Sequence, residues 1–170
     1  MTNDQMKIAI YGRQFNDPVV IPYIRQIFDN LIIHKVEIYV HHQLHDFLQD
    51  QIKPVQYKIL GPGDKIKGFI DLFITLGGDG TLLDMVTLIR DSGIPVIGIN
   101  FGRLGFLASI NKNDIAAAIN AVVNKQFTLD SRELLSINSE PGIFGEDNFA
   151  LNDITIHKRD DSAMITTHVF

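Results

Sequence analysis

The chain has 170 residues, 15 Lys and Arg against 20 Asp and Glu, a formal net charge of −5 and no cysteine. Its basic residues form no dense cluster, which argues against nucleic acid as the main partner, and the lack of cysteine excludes disulfides and thiolate chemistry within these residues. No 18-residue apolar run suggests a membrane span, and MTNDQMKIAI (1–10) lacks a signal-type leader, so a soluble, cytoplasmic protein with no membrane partner is expected.

KIAIYG (7–12) is a short apolar run ending in glycine and reads as a buried first strand. From Val19 to Ile33, the residues Ile24, Ile27, Phe28 and Leu31 recur at helical spacing, with Asp17-Pro18 as the helix start. VEIYV (36–40) reads as a second strand and HHQLHDFLQDQ (41–51) as a helix with Leu44, Phe47 and Leu48 on one face. DLFITL (71–76) is a third strand, TLLDMVTLIRDSG (81–93) a helix closed by Gly93, and IPVIGIN (94–100) a fourth strand. KNDIAAAINAVVNK (112–125) is helical, capped by Asn113 or Asp114. Strands alternating with helices at this spacing imply a parallel sheet covered on both faces. Residues 1–127 are therefore expected to form a Rossmann-like three-layer α/β domain.

Beyond Phe127 the character changes. TLDSRELLSINS, NFALNDITIHK and SAMITTHVF are extended candidates with no helix between them, and PGIFGEDN (141–148) reads as a turn between the first two. Residues 128–170 thus read as the start of an antiparallel all-β domain. Its last strand runs to Phe170, leaving an open edge of the kind proteins cover, and the chain is expected to be truncated within this domain.

LGGDGT (76–81) joins the third strand to the following helix. In an open α/β sheet, ligands bind beyond the carboxyl ends of the strands. Gly77, Gly78 and Gly80 allow close approach of backbone to ligand, and free N–H groups at a helix start favour anions. A helix cap supplied by Asp79 or Thr81 is the plainer alternative. No GxxxxGK[ST] occurs, so this is not the lysine-bearing phosphate loop. Bare, Asp79 repels phosphate. It becomes useful by holding Mg²⁺ against the phosphates, or by accepting the proton of a hydroxyl that attacks phosphorus. Both roles point to phosphoryl transfer to an alcohol.

GGDGT after an apolar strand resembles the kinase superfamily that contains NAD kinases, diacylglycerol and sphingosine kinases, and phosphofructokinases. NFGRLGFLA (100–108) and ALNDITIH (150–157), in this order, are similar to the NAD kinases in particular. The resemblance implies phosphorylation of the 2′-hydroxyl of the adenosine ribose of NAD, with ATP or polyphosphate as donor and Mg²⁺, giving NADP. It implies Asp79 as the catalytic base, with Gly80 against the substrate. Gly77, Gly78 and Thr81 would hold phosphates of ATP or of NAD, and the family forms homo-oligomers, dimers or tetramers. Another kinase of the superfamily, acting on a lipid or sugar phosphate, is the alternative; a non-catalytic nucleotide-binding fragment is a third reading. The Gly/Thr/Ser-rich stretch with which the family holds adenine has no counterpart in these residues, and this 170-residue chain is for that reason open to being inactive.

Alternation in FALNDITIH puts Asn152 on an apolar face with Ala150, Ile154 and Ile156, and a buried amide needs partners. The resemblance assigns Asn152 and Asp153 to NAD, through ribose hydroxyls or the nicotinamide end. Many members carry Glu where this chain has the shorter Asp153. Phe106 either stacks on a ligand ring or fills core. Arg103 is a weak candidate for phosphate. His41, His42 and His45 read as a solvated helix face rather than a metal site, and Lys158 to Asp161 as a polar turn.

Overall fold

The apolar run KIAIYG becomes β1 (Lys7–Gly12), the strand from which the sheet extends in both directions. It pairs in parallel with β2 (Glu37–His41) and β4 (Leu72–Leu76). Beyond these lie β3 (Lys58–Leu60) on one side, and β5 (Val96–Asn100) and β6 (Ile110–Asn111) on the other. The order is β3-β2-β1-β4-β5-β6, parallel throughout. The computed structural model describes residues 5–49, 51, 52, 55–140 and 142–155, and the chain divides into two compact units, Met1–Asp130 and Ser131–Phe170.

Alternation along the strands sorts the core of the first unit into two layers. Ile8, Ile10, Ile38, Val40, Leu72 and Ile74 face one side, where they pack with Ile24, Ile27, Phe28 and Leu31 of α1 (Ile21–Ile33) and with Ile115, Ile119 and Val122 of α4 (Ile115–Val123). Ala9, Tyr11, Tyr39 and Phe73 face the other side and meet Met85 of α3 (Asp79–Ile89). Helix α2 (His42–Leu48) contributes Leu44 and Leu48 to the first layer. β4 is buried at all five positions, as a central strand covered on both faces must be. The three-layer α/β architecture expected from the sequence is the observed one.

Several boundaries differ from expectation. β3 and β6 are additional strands, three and two residues long, too short for a periodic signal to register. Asp17 accepts a hydrogen bond from the Val19 N–H at 2.9 Å, but it caps a 3₁₀ turn (Pro18–Val20) that leads into α1. Asp114, one of the two expected residues, holds the N-cap position of α4 without a side-chain cap bond, and the 3₁₀ turn before it (Lys112–Asp114) is capped by Asn111. Helix α3 starts at Asp79 instead of Thr81 and ends at Ile89, where Arg90 turns with φ 48° and stops it ahead of Gly93.

In the second unit β7 (Leu135–Ser136) and β8 (Phe149–Ala150) pair antiparallel, with Gly145 (φ 56°) in the connecting turn. The strand expected across ALNDITIH is paired only at Phe149–Ala150, and Asn152 is exposed instead of lying on a buried apolar face. Two residue pairs cover too little surface to bury that face among the described residues. SAMITTHVF and the polar turn at Lys158 lie outside the described residues, as do Ile156 and His157. Among the described residues no helix is long and apolar enough to cross a membrane.

Candidate functional site

The strand order reverses between β1 and β4, and the carboxyl ends of such strands are where an open α/β sheet offers a crevice. Gly77, Gly78 and Asp79 occupy the end of β4. Gly77 has φ 143°, and a β-carbon there would collide with the Thr81 hydroxyl, so only glycine fits this turn. Thr81 is packed down behind Gly77 and is 9% exposed, whereas Gly80 is exposed at the start of α3. The N-cap position belongs to Gly78, and no side chain bonds there as a cap.

The Asp79 carboxylate is directed at a different segment. It accepts hydrogen bonds from the backbone N–H groups of Phe106 (2.9 Å), Leu107 (3.0 Å) and Ala108 (2.9 Å). Those amides, Ala108 first, hold its carboxyl below the ordinary carboxylate range, so it is ionised at neutral pH. GRLGFLA therefore wraps the carboxylate that interrupts the glycine loop. Gly105 makes the wrap possible, because a β-carbon at this position would overlap the Asp79 carboxylate. Asn100, buried at the end of β5, anchors the segment from the other side. Its Oδ1 accepts from the Gly102 N–H at 2.9 Å, and its Nδ2 donates to the Arg103 carbonyl at 2.5 Å.

Phe106 gives its N–H to Asp79 but leaves its ring 97% exposed, which removes the core-filling alternative in the described structure. A bare phenylalanine ring beside a carboxylate and a helix N-terminus offers a flat surface to a ligand ring. The Arg103 side chain is exposed. Asn152 and Asp153 are exposed in the second unit, where Asp153 accepts a hydrogen bond from the Thr155 hydroxyl at 2.8 Å.

The histidines do not share one helix face. His41 ends β2 and is buried, while His45 shares a hydrogen bond with Tyr57 Oη at 2.9 Å. Among the described residues no group of three or more His, Cys, Asp or Glu is placed to hold a metal.

Three features were not legible in the sequence. Asn100 was one, although an amide ending an apolar strand is a signal of a pinned loop. The second is the cluster of Tyr11, Arg13 and Asp84. Arg13 donates from Nε and Nη2 to the two oxygens of Asp84 at 2.5 and 2.6 Å, and Tyr11 Oη donates to the same carboxylate at 3.3 Å. The third is His41, whose ring sits edge-on to Tyr11 at 5.0 Å and whose Nδ1 is buried with no hydrogen-bond partner among the described residues. Burial, then the neighbouring His42, pushes its pKa down to about 4.

The family profile described as the ATP-NAD kinase N-terminal domain matches residues 16–127, a stretch that contains both Asp79 and the segment wrapped around it. The chain belongs to the NAD kinase family. It is 35% identical over 168 residues to the NAD kinase of Flavobacterium johnsoniae, covering 97% of this chain and 57% of the relative. It is 36% identical over 169 residues to the NAD kinase of Flavobacterium psychrophilum, with 97% and 57% covered. The NAD kinase of Bacteroides fragilis matches at 34% over 161 residues, with 95% and 55% covered. The chain thus spans a little over half the length of these NAD kinases. Among solved structures, yeast NADH kinase in complex with NADH superposes with a TM-score of 0.62 at 22% identity, covering 79% of this chain and 42% of that one. That likeness concerns the fold.

Proposed function

We propose that the protein is an NAD kinase, transferring the terminal phosphoryl group of ATP, or of polyphosphate, to the 2′-hydroxyl of the adenosine ribose of NAD. The observation that carries this reading is the ionised Asp79 at the head of α3, set between a glycine turn and the Phe106 ring. Family membership and the NADH bound by the yeast fold relative support a pyridine dinucleotide as acceptor.

In this reading the chain's own residues divide the work. The exposed Gly80 and the amides of the first turn of α3 receive phosphate oxygens, which helix N-termini favour. Gly77 and Gly78 let those oxygens approach the backbone. Thr81 supports the turn from behind, its N–H donating to the Gly78 carbonyl at 3.0 Å, and so serves phosphate by holding the glycines in place. The Phe106 ring stacks on a ring of NAD. Asn152 and Asp153 bond to NAD, and Arg103 lends charge to phosphate.

Asp79 receives the proton of the 2′-hydroxyl. A carboxylate held below its ordinary range is a weak base, and what the amides of Phe106 to Ala108 secure is its ionised state and its direction. Mg²⁺ commonly uses one or two carboxylates plus substrate phosphates, and the single carboxylate at this loop fits that pattern. When bound, the ion would neutralise charge on the phosphates, with Asp79 as its protein ligand or as the group orienting it. Homo-oligomer formation and a cytoplasmic location belong to the same reading, through the family.

Incubation with ATP, Mg²⁺ and NAD, followed by a dehydrogenase-coupled NADP readout, tests it. Wild-type protein should form NADP, and Asp79→Asn should lower turnover by about 10²–10⁴-fold, the usual range for a proton-transfer group. Absence of NADP from the wild type would overturn the reading, and an unaffected Asp79→Asn variant would remove Asp79 from the chemistry.

A further inference from the structure

On the α3 side of the sheet, away from the GRLGFLA segment, a cleft of about 670 Å³ opens at the carboxyl ends of β1 and β2. Its volume falls within the roughly 300–1,000 Å³ usual for small-molecule sites. Tyr11 and Arg13 line it from β1 and the turn that follows, His41 and Asp46 from β2 and α2, and Asp84 and Thr87 from α3. Helical spacing puts Gly80, Asp84 and Thr87 on one face of α3. The floor of the cleft therefore continues along the helix to the glycine turn. Asp84 follows Asp79 by five positions, about 7.5 Å of helix rise.

Two features in the cleft are unexplained by the fold. His41 is only 7% exposed, yet its Nδ1 has no partner among the described residues, and a buried ring nitrogen in that state calls for one. Arg13 is the other. Its guanidinium fork lies on the cleft wall and is exposed, occupied bidentately by Asp84. A guanidinium fork fits a phosphate as well as it fits a carboxylate. Asp84 has a second donor in Tyr11 Oη and so retains a hydrogen bond when Arg13 leaves.

We propose that the Arg13–Asp84 pair is a ligand-exchanged clasp: a nucleoside phosphate entering this cleft takes the guanidinium fork of Arg13 away from Asp84 and lays its base beside Tyr11 and His41. The proposal rests on the NAD kinase reading in taking the phosphoryl donor as that ligand. Its phosphates then run along Gly80 toward Asp79, while the acceptor lies on the Phe106 side of α3. Tyr11 and His41, each only 7% exposed, border the base with their edges, and the neutral imidazole of His41 offers a hydrogen bond without a competing charge. Exchange costs little because the pair stands at the solvent boundary, where ion pairs are weak.

The clasp predicts opposite effects from its two halves. Titration of the protein with the non-hydrolysable donor β,γ-imido-ATP and Mg²⁺, and separately with NAD, reads them directly by calorimetry. Arg13→Gln should weaken imido-ATP binding about tenfold or more, the scale of one charge-assisted contact, and leave NAD binding within twofold. Asp84→Asn frees Arg13 and should tighten imido-ATP several-fold. Thermal melting of each variant checks that it is folded. A purely structural ion pair would weaken binding in both variants, and that result overturns the clasp. So does imido-ATP binding that ignores Arg13, or a loss confined to NAD. Opposite shifts with imido-ATP in a protein that makes no NADP would uphold the clasp while removing the NAD kinase reading.

Discussion

Asp79 answers for itself once its partners are known. A carboxylate among glycines would repel phosphate, yet three backbone amides from a segment 27 to 29 residues away fix its charge and its direction. The pairing depends on Gly105, where any β-carbon would displace the carboxylate or the segment. Gly105→Ala should leave the sheet intact but cut NADP formation by about 10²-fold, the cost of a misplacement near 1 Å at a reacting group; unchanged coupled-assay rates would show that the wrap is incidental. His41 makes a second prediction at this scale. Its pKa is depressed in the folded protein, to about 4 from an ordinary 6.5, so below pH 6.5 the unfolded chain takes up a proton that the native ring refuses. Stability from this group is complete above about pH 6.5 and falls as the pH drops toward 4, by at most about 1.4 kcal/mol per pH unit. Urea unfolding at pH 7.5, 5.5 and 4.5 should show that fall, and His41→Phe should flatten it; an equal slope in the variant would remove His41 as its source.

At the level of elements, the junction of β4 and α3 shows what was legible and what was not. β4 reads directly because its five consecutive buried positions give an apolar run that only Thr75 interrupts. The first turn of α3 does not, because Gly78 and Gly80 are poor helix formers. Tertiary contacts overrule that preference: Thr81, Met85 and Val86 are buried, and the wrap holds Asp79. Edge strand β3 was hidden for the opposite reason, since Lys58 and Ile59 are exposed and carry no apolar pattern. The Arg13–Asp84 pair spans 71 positions, a proximity that only the parallel pairing of β1 with β4 creates. Gly77 tests the junction. Gly77→Ala forces a β-carbon onto φ 143° and into the Thr81 hydroxyl, and should destabilise by about 1–3 kcal/mol or more. Adding Thr81→Ala relieves the collision but not the backbone strain, so the double variant should recover part of the loss in a chemical-denaturation cycle. Strict additivity would mean that the two residues do not share the turn.

At the scale of the molecule, the hydrophobic effect among the described residues is concentrated in one unit. Every buried residue of the two core layers lies between Ile8 and Val122, and both faces of the six-stranded sheet are closed by helices from the same stretch. Alternating strands and helices announced this unit because each element carries its own periodicity and meets a neighbour within a few tens of residues. The second unit was harder to read: its described strands pair at two positions each, and Leu135, Ile143 and Phe144 are exposed. The two core layers of the described residues, both held within the first unit, have a direct consequence. Residues 1–130, with a parallel sheet covered on both faces, are of a size that buries somewhat under 70% of its unfolded surface, and should fold without residues 131–170. Expressed alone, that segment should show helix and sheet by circular dichroism and unfold in urea as one cooperative transition, with an m-value of about 1–3 kcal/mol/M. Its amide exchange should be slowest in β1 and β4, the strands buried between both layers. A broad transition with uniformly fast exchange in β1 and β4 would show that the sheet draws its stability from residues beyond Asp130.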